Sequence, residues 1–227
     1  LLVVDMVDTI DQKKLLNFIE NWITKKISLD LDSLFKLKFI NNSNAQIRAL
    51  AYQLYENNGV VKREDVLEIV NKLDQESRKI LREIGVKFGR YHIFLFKLFK
   101  PQAVSLRILL WKNFHQKFEN LNPPTFGLNF IDSKQELNKN FMLLCGFEKF
   151  GRFFVRIDIL ERLFIHIMKL NKENNKEIKL LPEMLNLLGC NKTNFINLIK
   201  LMNYKSFEIN NETHFKYIGK KFNISKK

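Results

Sequence analysis

Between residues 78 and 107 the chain carries Arg78, Lys79, Arg82, Lys87, Arg90, Lys97, Lys100 and Arg107, interleaved with Phe88, Tyr91, Phe94 and Phe99. Cations that meet phosphates, beside rings that can stack on bases, are the ingredients of single-strand nucleic-acid binding. The aromatics alternate within an apolar run, which is the pattern of burial, so they read as core. For the cations, phosphate contact and a solvated rim both fit. Of these, Arg82, Lys87, Arg90, Lys100 and Arg107 are the candidates for a sequence-independent backbone contact. A second group lies on a helix expected after Asn191. With Phe195, Leu198, Ile199 and Met202 buried, its other face presents Thr193, Asn197 and Lys200, with Lys192 near the N-terminal end. A helix N-terminus with a nearby lysine favours phosphate.

Other chemistries find no pattern. A phosphate-binding loop needs G-x-x-x-x-G-K-[ST], so that backbone N–H groups wrap the phosphates, and it is absent. Gly189-Cys190-Asn191-Lys192-Thr193 lacks the loop glycines and reads as a turn between helices. His92, His115, His166 and His214 are scattered without metal-ligand spacing and read as surface or partly buried side chains, with no metal expected. Cys145 and Cys190 are far apart with no C-x-x-C pattern, the usage of a reducing, cytoplasmic compartment.

The formal net charge of +14 over 227 residues points to an anionic partner. The sequence is also crowded with Lys, Asn, Ile and Phe, which an AT-rich genome encodes by default, so part of that charge need not be functional. No stretch is long and apolar enough to span a bilayer, since the greasiest run, Tyr91–Phe99, is short and interrupted by Lys97. The chain opens on an acidic segment with no initiator methionine, and residues upstream are therefore expected.

The elements that must position these groups are mostly helical. Leu15, Phe18, Ile19 and Trp22 give one amphipathic face, and Ile47, Leu50, Ala51, Leu54 and Tyr55 another that Gly59 stops. Asp74 caps a helix that Gly85 ends. Residues 86–96 read as an extended segment bent tightly around Gly89, and Pro101 opens the next helix. Pro123-Pro124 and Gly127 mark the best boundary. Beyond it, Ile157, Leu160, Leu163, Phe164, Ile167 and Met168 define a core-facing stripe, with Asp158 and Arg162 paired outside. Two alternating runs joined by Asn210-Asn211 close the chain as a hairpin. The expected fold is mainly α: a helical bundle over 1–119, a linker over 120–133, and a small winged-helix-like subdomain with a short β-hairpin over 134–227.

The span Leu73–Trp111 resembles a block downstream of the motor in alphaproteobacterial superfamily-two helicases, relatives of the RNA helicase of the mitochondrial degradosome. Gly85-Val86-Lys87-Phe88-Gly89 matches the block's G-V-R-F-G with Lys for Arg. Lys100-Pro101 and Leu106-Arg107 through Leu110-Trp111 match directly. The resemblance extends upstream to Ala45–Val61 and downstream to Cys145-Gly146-Phe147, Val155–Asp158, Leu160-Glu161-Arg162-Leu163 and Leu187–Tyr204. Phe96 stands where the family usually has proline, and both motor domains are missing. The resemblance implies ATP-dependent RNA unwinding by an intact protein whose ATP and Mg belong to the absent motor; no cofactor is expected in this chain.

The expected role is therefore a C-terminal accessory region that braces upstream helicase motor domains and contacts RNA, with DNA not distinguished from it and no membrane partner. The alternatives are a scaffold docking an exoribonuclease and a free-standing winged-helix nucleic-acid-binding protein. The chain alone is expected neither to bind nor to hydrolyse ATP. A nucleotide titration and a phosphate-release assay check this, and RNA-stimulated turnover that survives stringent purification would overturn it.

Overall fold

The structure, a computed structural model, describes residues 9–40, 44–115, 120–173 and 177–219. The chain divides into two compact units: residues 1–87 with 93–111, and residues 88–92 with 112–227. Among the described residues no helix is long and apolar enough to cross a membrane.

In the first unit, α1 (Thr9–Asp30) and α2 (Asp32–Lys38) precede α3 (Ala45–Glu56), whose N-cap Asn44 accepts a hydrogen bond from the Ile47 amide. The stripe Ile47, Leu50, Ala51 and Leu54 is fully buried, as its spacing predicts. Strand β1 (Val60–Lys62) and helix α4 (Leu67–Lys72) lead to α5 (Gln75–Ile84). Asp74 caps α5 by accepting from Ser77 N at 2.7 Å, and Gly85 ends it in the left-handed region at φ 110°. Strands β2 (Val86–Phe88) and β3 (His92–Leu95) complete a sheet in the order β1-β3-β2. A 3₁₀ turn at Phe96–Phe99 then leads into α6 (Pro101–Phe114).

In the second unit, β4 (Phe130–Asp132), α7 (Lys139–Leu144), β5 (Phe147–Phe150), β6 (Phe153–Arg156) and α8 (Ile157–Glu173) come first. The antiparallel sheet β4-β6-β5 places Phe130 opposite Val155 and Glu148 opposite the same residue on the other side. Then follow β7 (Ile178–Lys179), α9 (Pro182–Leu188), α10 (Lys192–Leu201), β8 (Tyr204–Ile209) and β9 (Glu212–Tyr217). The second sheet of this unit has the order β7-β9-β8. Its core gathers Leu160, Leu163, Phe164, Ile167, Ile178, Phe195, Leu198 and Phe215.

The expected mainly helical fold with a lone C-terminal hairpin is overturned. Three small antiparallel three-stranded sheets make the chain mixed α/β, and the hairpin β8–β9 gains a third strand, β7. Most of these strands are two to four residues long, too short for a period of two to stand out from helical patterns. Strand β6 runs straight into α8, so its apolar residues merge with the helical stripe. Within the expected linker over 120–133, Phe130–Asp132 forms a strand that pairs with β6. Asp158 does not pair with Arg162; it is buried and receives both Nε and Nη2 of Arg156, at 2.8 and 2.6 Å. Met168 lies exposed rather than in the stripe.

Arg107 is the other departure. It is only 4% exposed, and its guanidinium donates to Asn58 O at 3.0 Å and Leu98 O at 2.7 Å. These carbonyls end an irregular turn and a 3₁₀ turn, where no helical or ladder partner reaches them. Replacing Arg107 with Met should keep the volume and strand both carbonyls, lowering unfolding free energy by about 3 kcal/mol. Urea denaturation checks this; a variant as stable as the parent would refute the role.

Candidate functional site

The bend between β2 and β3 is built around a carboxylate. Glu161, on the first turns of α8, accepts hydrogen bonds from the backbone amides of Arg90, Tyr91 (2.9 Å) and His92 (2.8 Å). Residues 88–92 and α8 belong to the same unit. Gly89 makes room for this: a Cβ there would collide with the Glu161 carboxyl group and lie 2.7 Å from His92 O. The Gly89 amide meanwhile donates to His92 O at 2.8 Å, closing the bend.

His92 is sandwiched between two acids. Its Nδ1 lies 3.1 Å from Glu161 Oε1 and its Nε2 3.3 Å from Glu148 Oε2 on β5. His92, Glu148 and Glu161 are respectively 2, 4 and 3% exposed. A doubly protonated ring donates to both oxygens, whereas a neutral ring can donate to only one. Burial by itself pushes the imidazole down, but hydrogen bonds to Glu148 and Glu161 and their charges outweigh it, holding His92 above its ordinary value. Glu148 and Glu161 flank opposite sides of the ring, and among the described residues no group of His, Cys, Asp and Glu is arranged to hold a metal ion. The cluster is a clamp that orders the bend.

Arg90 sits at the tip of this bend with its side chain exposed. Arg82 on α5, Lys87 on β2 and Lys100 before α6 are also exposed, each on a different element of the first unit. Arg107 is removed from the surface set by its burial. Of the interleaved aromatics, Phe94 and Phe99 are buried edge to face at 5.2 Å, as their alternation predicts, while Phe88 and Tyr91 are half-buried, Tyr91 packing on Phe164 at 4.5 Å.

The expected helix after Asn191 is α10. Asn191 caps it by accepting from Asn194 N, and Phe195, Leu198 and Ile199 are buried. Thr193, Asn197 and Lys200, spaced by four and three residues, share its exposed face. Lys192 is exposed too, but its Nζ reaches Glu208 Oε1 at 3.3 Å. Cys190, in the turn before α10, carries a thiol that burial pushes up to about 11, so it offers no thiolate at neutral pH.

Sequence alone reads His92 as an ordinary side chain, and in it neither Glu148 nor Glu161 stands out. One signal is present. Glu161 falls four residues after Ile157 and three before Phe164, on the buried stripe of α8, where a charged residue requires partners. In comparisons with known proteins, no family model, curated protein or solved structure matches the chain.

The clamp makes stability depend on pH with a definite sign. Because the folded value of His92 is raised, its stabilisation is fully present below the unfolded value, about 6.5, and is lost as pH rises through the folded value. Unfolding free energy should fall as pH rises from about 6.5 through the folded value, and His92→Gln should flatten the fall. Glu161→Ala should cost about 4 kcal/mol while His92 is protonated, because it strands buried donors and a buried charge, and less at higher pH, where the ring is neutral. Urea melts across pH on the three proteins check both; a fall that His92→Gln leaves untouched would sink the assignment.

Proposed function

We propose that the chain is a motor-less C-terminal accessory region of an ATP-dependent RNA helicase, gripping the RNA backbone without reading sequence and bracing the motor. The observation that carries the RNA contact is the free face of α10. Thr193, Asn197 and Lys200 stand together on it, opposite a buried apolar face, and Lys200 makes no ion pair among the described residues. A cation flanked by two hydrogen-bonding side chains suits a phosphodiester and carries no base-specific pattern. Arg82, Lys87, Arg90 and Lys100 add exposed cations, and the net charge of +14 supplies long-range attraction. ATP and Mg belong to the motor in this reading.

The helicase setting rests on the sequence resemblance. The scaffold reading has an observation of its own: Leu15, Phe18, Trp22 and Leu29 of α1 are exposed at 44, 68, 55 and 68%. Rings and aliphatic chains in such a row suit a protein partner such as an exoribonuclease.

Titrating RNA of several sequences into the full chain at increasing salt tests the reading. Binding should be similar across sequences and weaken with salt. Lys200→Glu should reduce the log–log salt slope by about 0.7, the change expected when a protein neutralises one phosphate fewer on a single strand. Absence of salt-dependent binding, with the fold intact by circular dichroism, would favour the docking role instead.

A further inference from the structure

The outward face of the β7-β9-β8 sheet carries a pattern that folding alone does not call for. Phe215 and Thr213 of β9 are buried, with the Phe215 ring 5.8 Å from that of Phe195 on α10. Side chains alternate along a strand, so Glu212, His214 and Lys216 project from the opposite face. The register sets Lys205 directly across from Lys216, Phe207 across from His214 and Ile209 across from Glu212, with Lys179 of β7 on the far side of His214. Phe207 and His214 stack, their rings 19° from parallel with centroids 6.1 Å apart.

Like charges directly opposite on a sheet are destabilising, and a partly uncovered aromatic at the centre of such a face has no core to fill. Two of the three lysines have an acid beside them, in exposed pairs that contribute little and are readily exchanged for a phosphate. Lys179 meets Glu212 and Lys216 lies 3.7 Å from Glu177, while Lys205 makes no ion pair among the described residues. One row of the ladder is thus cationic, and the next, about 6.8 Å along the strands, is aromatic. That separation lies within the span of one nucleotide, from phosphate to base.

We propose that this face is a binding site for single-stranded nucleic acid. Lys205 and Lys216 hold a phosphodiester, and a base stacks on the Phe207–His214 pair. The site rests on the reading of the chain as a nucleic-acid-contacting module, and it adds a surface distinct from the exposed face of α10. Stacking tolerates any base, because every base presents a π-face, so the site selects unpaired strands and not sequences. An acidic protein segment would meet the lysines but gain nothing from the stacked rings.

The test uses the full chain and a fluorescein-labelled oligouridine of roughly 12 nucleotides, with an oligodeoxythymidine of equal length as the DNA arm and a duplex as the paired control. Single strands should bind more tightly than the duplex. Phe207→Leu should weaken binding at least about fivefold, and Phe207→Tyr, which keeps the ring, should retain it. The pair Lys205→Gln and Lys216→Gln should lower the salt slope by about 1.4. Photocrosslinking with 5-iodouridine, which needs no variant, should label the peptide holding Phe207 or that holding His214. Oligouridine binding that all the variants preserve, with crosslinks elsewhere, overturns this site and leaves the general reading standing. No salt-dependent binding by the parent chain overturns both, and so does capture of an acidic peptide alone.

Discussion

A single carboxylate organises the most informative part of the second unit. Glu161 is buried, and a buried charge survives only where enough donors replace water. It has them in three consecutive amides and an imidazole. Each donor imposes a constraint elsewhere. The amides converge only if the chain bends tightly, the bend leaves no room for a side chain at Gly89, and the imidazole must face a second acid, Glu148. The cluster therefore selects one shape for residues 89–92, where apolar contacts alone would accept several.

That arrangement explains what can and cannot be read from the residues. Elements whose logic is local are visible: Asp74 and Asn191 cap the helices they precede, Gly85 ends its helix, and Asn210 and Asn211 take the left-handed conformations of a two-residue hairpin turn. The bend around Gly89 is visible as well, though not its cause. Glu161 lies 69 residues from His92 and Glu148 lies 56 away, and no spacing rule spans such gaps. The short strands are hidden for the opposite reason: their information is too brief, and only the pairing partner makes Phe130–Asp132 or Ile178–Lys179 a strand.

Charge shows the same division. A net charge of +14 identifies a cationic protein, but the cations differ in what they can do. Arg107, buried, is committed to two carbonyls, and Arg156, half-buried, to the buried Asp158. Lys179, Lys192 and Lys216 are engaged with acids at the surface, where an ion pair contributes little and is readily exchanged for a phosphate. Lys200 and Lys205 remain uncommitted among the described residues. Cationic side chains thus grade from structural pin to available contact, following their burial.

The turn that closes α3 has a chemical consequence. Asn58-Gly59 is the dipeptide most prone to deamidation, in which the backbone nitrogen of the following residue attacks the asparagine side chain and releases ammonia. Here that nitrogen belongs to Gly59, which is buried and donates to Leu54 O at 2.6 Å. Asn58 itself is fixed at φ 54°, and its carbonyl receives Arg107. The nucleophile is occupied by that hydrogen bond while the turn holds. Deamidation at position 58 should therefore be slower in the folded chain than in the unfolded one, because opening the turn is what frees this nitrogen.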